Sequence, residues 1–268
     1  MTRTVGVVVP AYRPDPERLL SYVLSLRDEL DPELVRIELD DPRPEVLERL
    51  RDAPDVVDVH AVSNRRGKGA AITAGFESLA PQVDVLAFAD ADGSTPAASL
   101  SDVVAPVRDG DAGLSVGSRR HPESDVVSHQ TFARRRLGDG FAWLARRLLD
   151  VGLYDYQCGA KALTSVAWED VRDHLYDPGF AWDIELIAVS DALGYRVVEV
   201  PVRWEDRPGS TVSPVETTLR LGRGLVVSRH RARIVGDDRL HELLETTRTD
   251  RPTLVDRLTE SVEATEAD

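Results

Sequence analysis

Lysine is almost missing from this chain of 268 residues: among 33 basic residues only Lys68 and Lys161 are lysines, and the rest are arginines. Set against 47 acidic residues, they leave a net charge of −14. So acidic a surface repels polyanions and argues against any charge-driven affinity for nucleic acid. Lysine poverty with a carboxylate excess resembles the composition of halophilic proteins. Cysteine is scarcer still: Cys158 stands alone, which excludes an intrachain disulfide and a multi-cysteine metal site and fits a reducing cytosol. Long apolar runs are missing too. No window reaches the roughly 18 to 20 unbroken apolar residues of a membrane span, and the N-terminus has no signal-peptide core. These absences predict a cytoplasmic protein, soluble or peripheral at the cytoplasmic face of a membrane.

What is present is enough apolar residue, 42% of the chain, to build a sizeable core. Apolar strands and amphipathic helices alternate. TVGVVVP (4–10), LVRIELD (34–40), VVDVHAVS (56–63) and VDVLAFA (83–89) read as strands. PERLLSYVLSLRDEL (16–30), PEVLERLRDA (44–53) and GAAITAGFESL (69–79) read as helices between them. A further strand, DAGLSVGSRR (111–120), precedes an arginine-studded helix at 133–150 whose arginines 134, 136, 146 and 147 fit a solvated face. Near-continuous apolar strands separated by helices imply an α/β fold with a mostly parallel sheet, covered on both faces. The expected division is a domain over residues 1–236 and an acidic tail over 237–268, helical or frayed. Residues 215–236 interleave apolar residues with arginines; they fit a helix closing the core or an amphipathic membrane contact.

Ligands of such sheets sit beyond the carboxyl ends of the strands. Those ends here are Pro10-Ala-Tyr12-Arg, Asp40-Asp41, Asn64-Arg-Arg-Gly67-Lys68-Gly69 and Asp90-Ala-Asp92. In extended backbone, side chains at i and i+2 leave the same face roughly 7 Å apart, so Asp90 and Asp92 can converge on a hard divalent cation. The same residues also suit a simple strand-to-helix turn. Gly-Lys-Gly at a helix start suits an anion held by free N–H groups, or a structural turn. It is no P-loop, since GxxxxGK[ST] is absent. Both lysines lie beside glycines, in GKG and QCGAK, a distribution unlike surface ornament.

In order along the chain, VVVPAYRP, NRRGKGAAITAGF, FADADGSTP, VGSRR, DYQCGAKAL, FAWDIELIA, GYRVVEVPVRW and PGSTVSP resemble the family 2 glycosyltransferases. Among these the similarity is greatest to enzymes that glycosylate polyprenyl phosphates, the dolichyl-phosphate glucosyl- and mannosyltransferases. The resemblance spans about residues 5 to 214. It implies the GT-A fold, a Rossmann-like sheet, and inverting transfer of a hexose from UDP-glucose or GDP-mannose to polyprenyl phosphate in glycan or glycoprotein assembly. Two departures stand out. The second strand runs into Asp40-Asp41-Pro42-Arg43 where the family usually has Asp-Asp-Gly-Ser, and the trailing membrane helices of some relatives are missing.

The resemblance also implies roles. Asp92, assisted by Asp90, would hold Mg²⁺ or Mn²⁺ against the leaving diphosphate. Pro10, Tyr12, Asp41, Gly67, Lys68, Gln157 and Lys161 would line the substrate site. Arg119 and Arg135 would orient the acceptor phosphate by planar forks, and Asp183 would act as a base or as a positioning carboxylate. With a phosphate acceptor the proton is already gone, so loss of Asp183 is expected to be milder than the roughly 10²- to 10⁴-fold loss typical of a general base. Transfer to a sugar hydroxyl of a lipid-linked or surface glycan is the alternative. A nucleotidyltransferase is disfavoured, because it would carry a longer glycine-rich loop after the first strand. A non-catalytic binding module is disfavoured by the intact aspartate pair.

Overall fold

The computed structural model describes residues 2–51, 53–127, 132–205, 214–236 and 252–266. Seven strands form one sheet in the order β3-β2-β1-β4-β7-β5-β8. They are β1 (Val5–Tyr12), β2 (Leu34–Asp40), β3 (Val57–Val62), β4 (Val85–Ala89), β5 (Leu114–Ser118), β7 (Ala160–Thr164) and β8 (Val197–Pro201). Two short strands, β6 (Asp125–Val126) and β9 (Arg203–Trp204), pair separately. The helices are α1 (Pro16–Leu30), α2 (Pro44–Leu50), α3 (Lys68–Leu79), α4 (Ala97–Arg108), α5 (Phe132–Leu148), α6 (Ser165–Val171), α7 (Trp182–Ala192), α8 (Pro214–Val235) and α9 (Leu254–Glu266).

Side chains alternate across each strand, so one apolar run feeds two cores. In β1, Val7 and Val9 face α1, α2 and α4, while Val8 faces the layer that contains α3, α6 and α7. All three are fully buried. Local chemistry sets the helix ends: the Asp15 side chain accepts from the Arg18 N–H at 2.9 Å, and Pro16 opens α1. The mostly parallel reading holds, with one exception. β7 runs antiparallel between β4 and β5, a pairing invisible to periodicity because strand direction leaves no mark on the alternation of side chains.

Two features of register place the site. β1 pairs with β4 only from Val5 to Val8; β4 ends at Ala89 while β1 runs on to Tyr12 beside β2. Pro10 lies past that pairing, where its missing N–H removes no bond to β4. Because β7 is antiparallel, its start lies at the end of β4, with Phe88 opposite Lys161 and Ala89 opposite Ala160. The segments QCGAK and DAD therefore meet at one edge.

The inner face of α8 buries Leu221 and Leu225 and packs on α7 and α5, which matches the core-closing alternative for 215–236. On its outer face Arg223 and Val226 are exposed. Of the tail, residues 237–251 lie outside the described residues. Within α9, Leu254 is buried in the main core and its N–H donates to the Leu175 carbonyl at 2.9 Å.

Candidate active site

Both lysines of the chain converge on one carboxylate. Lys161, fully buried on β7, donates to Asp183 Oδ1 at 2.6 Å and to the Cys158 carbonyl at 2.8 Å. Lys68, in the first turn of α3, reaches Asp183 Oδ2 at 3.3 Å and Asp90 Oδ1 at 2.9 Å. Asp183 follows the first residue of α7 without capping it, since no side-chain bond closes that helix start. Burial would raise its pKa, but Lys161 and then Lys68 outweigh burial and hold the carboxyl below the ordinary aspartate range. For Lys68, burial favours the neutral form, yet Asp183 and Asp90 reverse that and raise its pKa. Four charges thus form a closed, neutral set. Below it, Phe76, Phe88, Trp168 and Trp182 pack ring to ring, and Lys68 and Lys161 lie over the Phe88 ring at 5.1 and 5.5 Å. This apolar floor excludes water from one side of the ion pairs, where charges interact more strongly.

Asp90 and Asp92 stand at the mouth. Asp90 is half-buried; burial pushes its carboxyl up, Lys68 pulls it down, and Asp92 and Asp183 push it up again. Asp92 is exposed, and its one protein hydrogen bond among the described residues is from the Ser94 N–H to Oδ1 at 2.8 Å. Hard oxygen donors with one oxygen uncommitted, beside a carboxylate crowded by negative charge, fit Mg²⁺ or Mn²⁺. Such ions are commonly held by one or two carboxylates and completed by substrate phosphates. No group of three His, Cys, Asp or Glu side chains forms a metal site by itself among the described residues.

The start of α3 is less open than a phosphate cradle. Asp40 Oδ2 accepts from the N–H groups of Arg66 and Gly67 at 2.8 and 2.9 Å, so a protein carboxylate already takes the place expected for a ligand anion at Gly67. The Arg66 side chain binds Asp40 and the fully buried Glu38. Gly67 has φ 103°, a region that favours glycine. A Cβ at Gly67 would meet the Pro178 carbonyl oxygen at 2.5 Å, and one at Gly69 the Asp177 oxygen at 2.6 Å. The two glycines therefore admit the 177–178 turn against the loop, and Lys68 between them projects into the site.

Arg119, expected to present a fork to a phosphate, uses most of that fork internally. Its Nε and Nη2 bind Asp155 Oδ2 and Oδ1 at 2.7 and 3.1 Å, and Nη1 makes no hydrogen bond among the described residues. Burial would raise Asp155, but Arg119 outweighs it and holds the carboxyl well below the usual range. Asp155 also accepts from the Gln157 N–H at 3.0 Å, and Gln157 Nε2 donates to the Phe180 carbonyl at 3.3 Å. Glu199 on β8 accepts from the N–H groups of Tyr154 and Asp155 and fixes that loop.

A separate group stands at the ends of β1 and β2. Arg13 and Asp41 pair at 2.6 Å, and both have positive φ, 45° and 46°. The exposed Tyr12 ring has Arg65 over it at 4.2 Å. Arg135 belongs to α5, and its side chain lies outside the described residues, as does most of the PGSTVSP segment. Asp155, Glu185, Arg66 and Glu38 carry more of the geometry than their sequence positions suggest. The available signal was a carboxylate flanked by tyrosines before a strand in YDYQ, which by itself indicates a turn.

The model of a known family, "Glycosyl transferase family 2", matches residues 6–153. The chain is 32% identical over 228 residues to "Glycosyltransferase AglD" of Haloferax volcanii, covering 81% of this chain and 36% of that protein. It is 32% identical over 165 residues to a dolichyl-phosphate beta-glucosyltransferase of Drosophila melanogaster, covering 60% of this chain and 50% of the relative. It thus spans between about a third and a half of the length of these two relatives. Among solved structures, glucosyl-3-phosphoglycerate synthase of Mycobacterium tuberculosis, crystallised with Mn²⁺, UDP and glucosyl-3-phosphoglycerate, superposes with TM-score 0.62 at 16% identity, covering 84% of this chain and 80% of that one. At that identity the likeness is one of fold.

Proposed function

The chain belongs to glycosyl transferase family 2, and from that premise we propose that it transfers a glucose or mannose residue, with inversion, from a nucleotide diphospho-sugar to a polyprenyl phosphate. The observation that carries this reading is the state of Asp183. A sugar hydroxyl needs a base to take its proton as the new bond forms. The carboxylate best placed for that has both oxygens bonded to lysines and a depressed pKa; it is a poor proton acceptor at neutral pH. A phosphate monoester arrives already ionised and needs only to be held.

In this reading Asp92, with Asp90, holds Mg²⁺ or Mn²⁺, and the ion when bound neutralises charge gathering on the diphosphate. Lys68 exchanges its contact with Asp90 for the incoming donor phosphates, while Asp183 keeps it charged and in place. Arg119, held by Asp155, offers Nη1 to the acceptor phosphate. A phosphate oxygen bonds to the anomeric carbon as the bond from that carbon to the diphosphate oxygen breaks, and the nucleotide diphosphate departs. Tyr12, Arg65 and the Arg13–Asp41 pair supply a rim for the nucleotide.

No helix of the described residues is long and apolar enough to cross a membrane. The exposed residues Trp143, Leu144, Arg146 and Arg147 on α5, with Arg223 and Val226 on α8, support peripheral attachment at a cytoplasmic membrane surface, where an isoprenoid acceptor resides. The acidic remainder supports a salt-rich medium. The test supplies polyprenyl phosphate, polyprenol and a neutral glycan in parallel with labelled UDP-glucose and GDP-mannose in Mn²⁺. Label in the polyprenyl phosphate fraction alone supports the reading; label in the glycan alone overturns it in favour of a hydroxyl acceptor.

A further inference from the structure

Glu185 is buried on α7, two residues beyond Asp183 and so on another face of the helix, and it bonds to neither lysine. Its Oε2 accepts from the N–H groups of Tyr176 and Asp177 at 2.9 and 2.8 Å. On the other side, Oε1 pairs with Arg231 of α8, whose guanidinium lies 3.9 Å over the Tyr176 ring. The turn gripped in this way is the one that presses on the glycines flanking Lys68: the Ala70 N–H donates to the Pro178 carbonyl at 3.2 Å, and neither Gly67 nor Gly69 has room for a Cβ against it. Asp40 and Arg66 hold the same loop from the opposite side.

The geometry points to Glu185 as a positioning residue for the donor site: it fixes the 176–178 turn, the turn fixes the Gly67–Gly69 loop, and the loop sets Lys68, with Arg231 linking this chain of contacts to α8. The inference rests on the proposed role of Lys68 toward the donor. It makes α8, the helix with exposed Arg223 and Val226, mechanically continuous with the donor loop, so that movement of α8 is felt at the lysine. A glutamine at 185 cannot reproduce this arrangement. Its amide has one accepting oxygen and one donating nitrogen, so it either keeps the turn and turns an N–H₂ toward Arg231, or keeps Arg231 and drops the turn.

The test measures amide hydrogen exchange and steady-state kinetics on the whole chain for Glu185→Gln, Arg231→Gln and Gly69→Ala. Arg231 is partly exposed, so its variant keeps the fold in play should Glu185→Gln fail to fold. Gly69→Ala opens the same contact from the other side with Glu185 intact. Expected is exchange about tenfold faster at residues 66–71 and 176–179, with β1 and β2 unchanged, the scale of one lost hydrogen bond to a charged group. The KM for UDP-glucose or GDP-mannose should rise by a similar factor of about ten, with kcat altered much less. Unchanged exchange at 66–71 in Glu185→Gln and Arg231→Gln, whatever Gly69→Ala does, or equal acceleration throughout the chain, overturns the positioning role. If the parent protein turns over neither nucleotide sugar, the transfer reading falls, while the exchange measurement still decides whether Glu185 fixes the loop.

Discussion

Replacing Asp183 by asparagine strips one charge from a set that is neutral only as a whole: Lys68 and Lys161 against Asp90 and Asp183. The two lysines are not affected alike. Lys68 keeps Asp90 and some solvent access, with 13% of its side chain exposed, whereas Lys161 is fully buried and keeps only the Cys158 carbonyl. An amide oxygen can face one ammonium, but the N–H₂ must then face the other. Breaking a buried pair by removing one partner costs about 3 to 5 kcal/mol, a large part of the roughly 5 to 15 kcal/mol that usually holds a domain folded. Urea unfolding at pH 7 reads the loss directly. Adding Lys161→Met to Asp183→Asn removes the stranded cation and should recover at least half of it, because a buried pair replaced by matched uncharged groups is often near neutral. The sign with pH follows from the depressed folded pKa. The contribution is present above the ordinary aspartate value of 3.8 and is lost as pH falls through the lower folded value, so wild type and variant should converge only in strong acid. A cost under about 1 kcal/mol at pH 7, or a double variant no more stable than Asp183→Asn, would refute the view that Asp183 is the partner that keeps Lys161 buried and charged. The expectation from sequence, an effect milder than removal of a general base, concerned catalysis; the structure adds a stability cost, because the lysines lose this shared partner.

Further consequences follow for substitutions nearer the substrate. Asp92→Asn should abolish metal-dependent transfer, a loss on the order of several kcal/mol of transition-state stabilisation, yet shift urea stability by no more than about 0.5 kcal/mol because the side chain is exposed; wild-type rates in Mn²⁺ would remove Asp92 from the metal site. Lys68→Ala should weaken nucleotide-sugar binding more than Lys68→Arg in calorimetric titration, and equal affinities in all three proteins would make Lys68 purely structural. Arg119→Lys should raise the KM for polyprenyl phosphate at least about tenfold with donor affinity unchanged, since lysine cannot bridge both Asp155 oxygens and keep a donor free; an unchanged KM would assign acceptor binding elsewhere.

Much of this molecule is legible in sequence because apolar runs that stop at polar residues mark the strand ends, and strand ends of a parallel sheet mark the site. Asp90, Asp92 and Lys68 lie there. Lys161 stood out through its rarity and its place beside a glycine in QCGAK. What was not legible depends on contacts between distant segments. The antiparallel β7 brings Lys161 beside Phe88, but nothing in AKALT encodes its direction. Gly-Lys-Gly left an anion site and a structural turn equally open, and the choice lay with Asp40, 27 residues earlier, which accepts the Gly67 N–H. Arg119 promised a free fork until Asp155, 36 residues later, bound two of its nitrogens. In each case the residue type announced a charge or a turn, and only the fold decided its partner.

If the sugar goes to a phosphate oxygen, as proposed, the new bond itself can be read. The lipid product made from UDP-glucose or GDP-mannose and polyprenyl phosphate should be purified and its phosphorus and anomeric proton signals recorded by NMR. A phosphodiester resonance coupled to an anomeric proton, with configuration inverted from that of the donor, is the predicted result. Polyprenyl phosphate recovered as an unchanged monoester, with the new sugar on a carbon-bound hydroxyl of a neutral glycan supplied in the same reaction, would rule out transfer to phosphate and return Asp183 to consideration as a base.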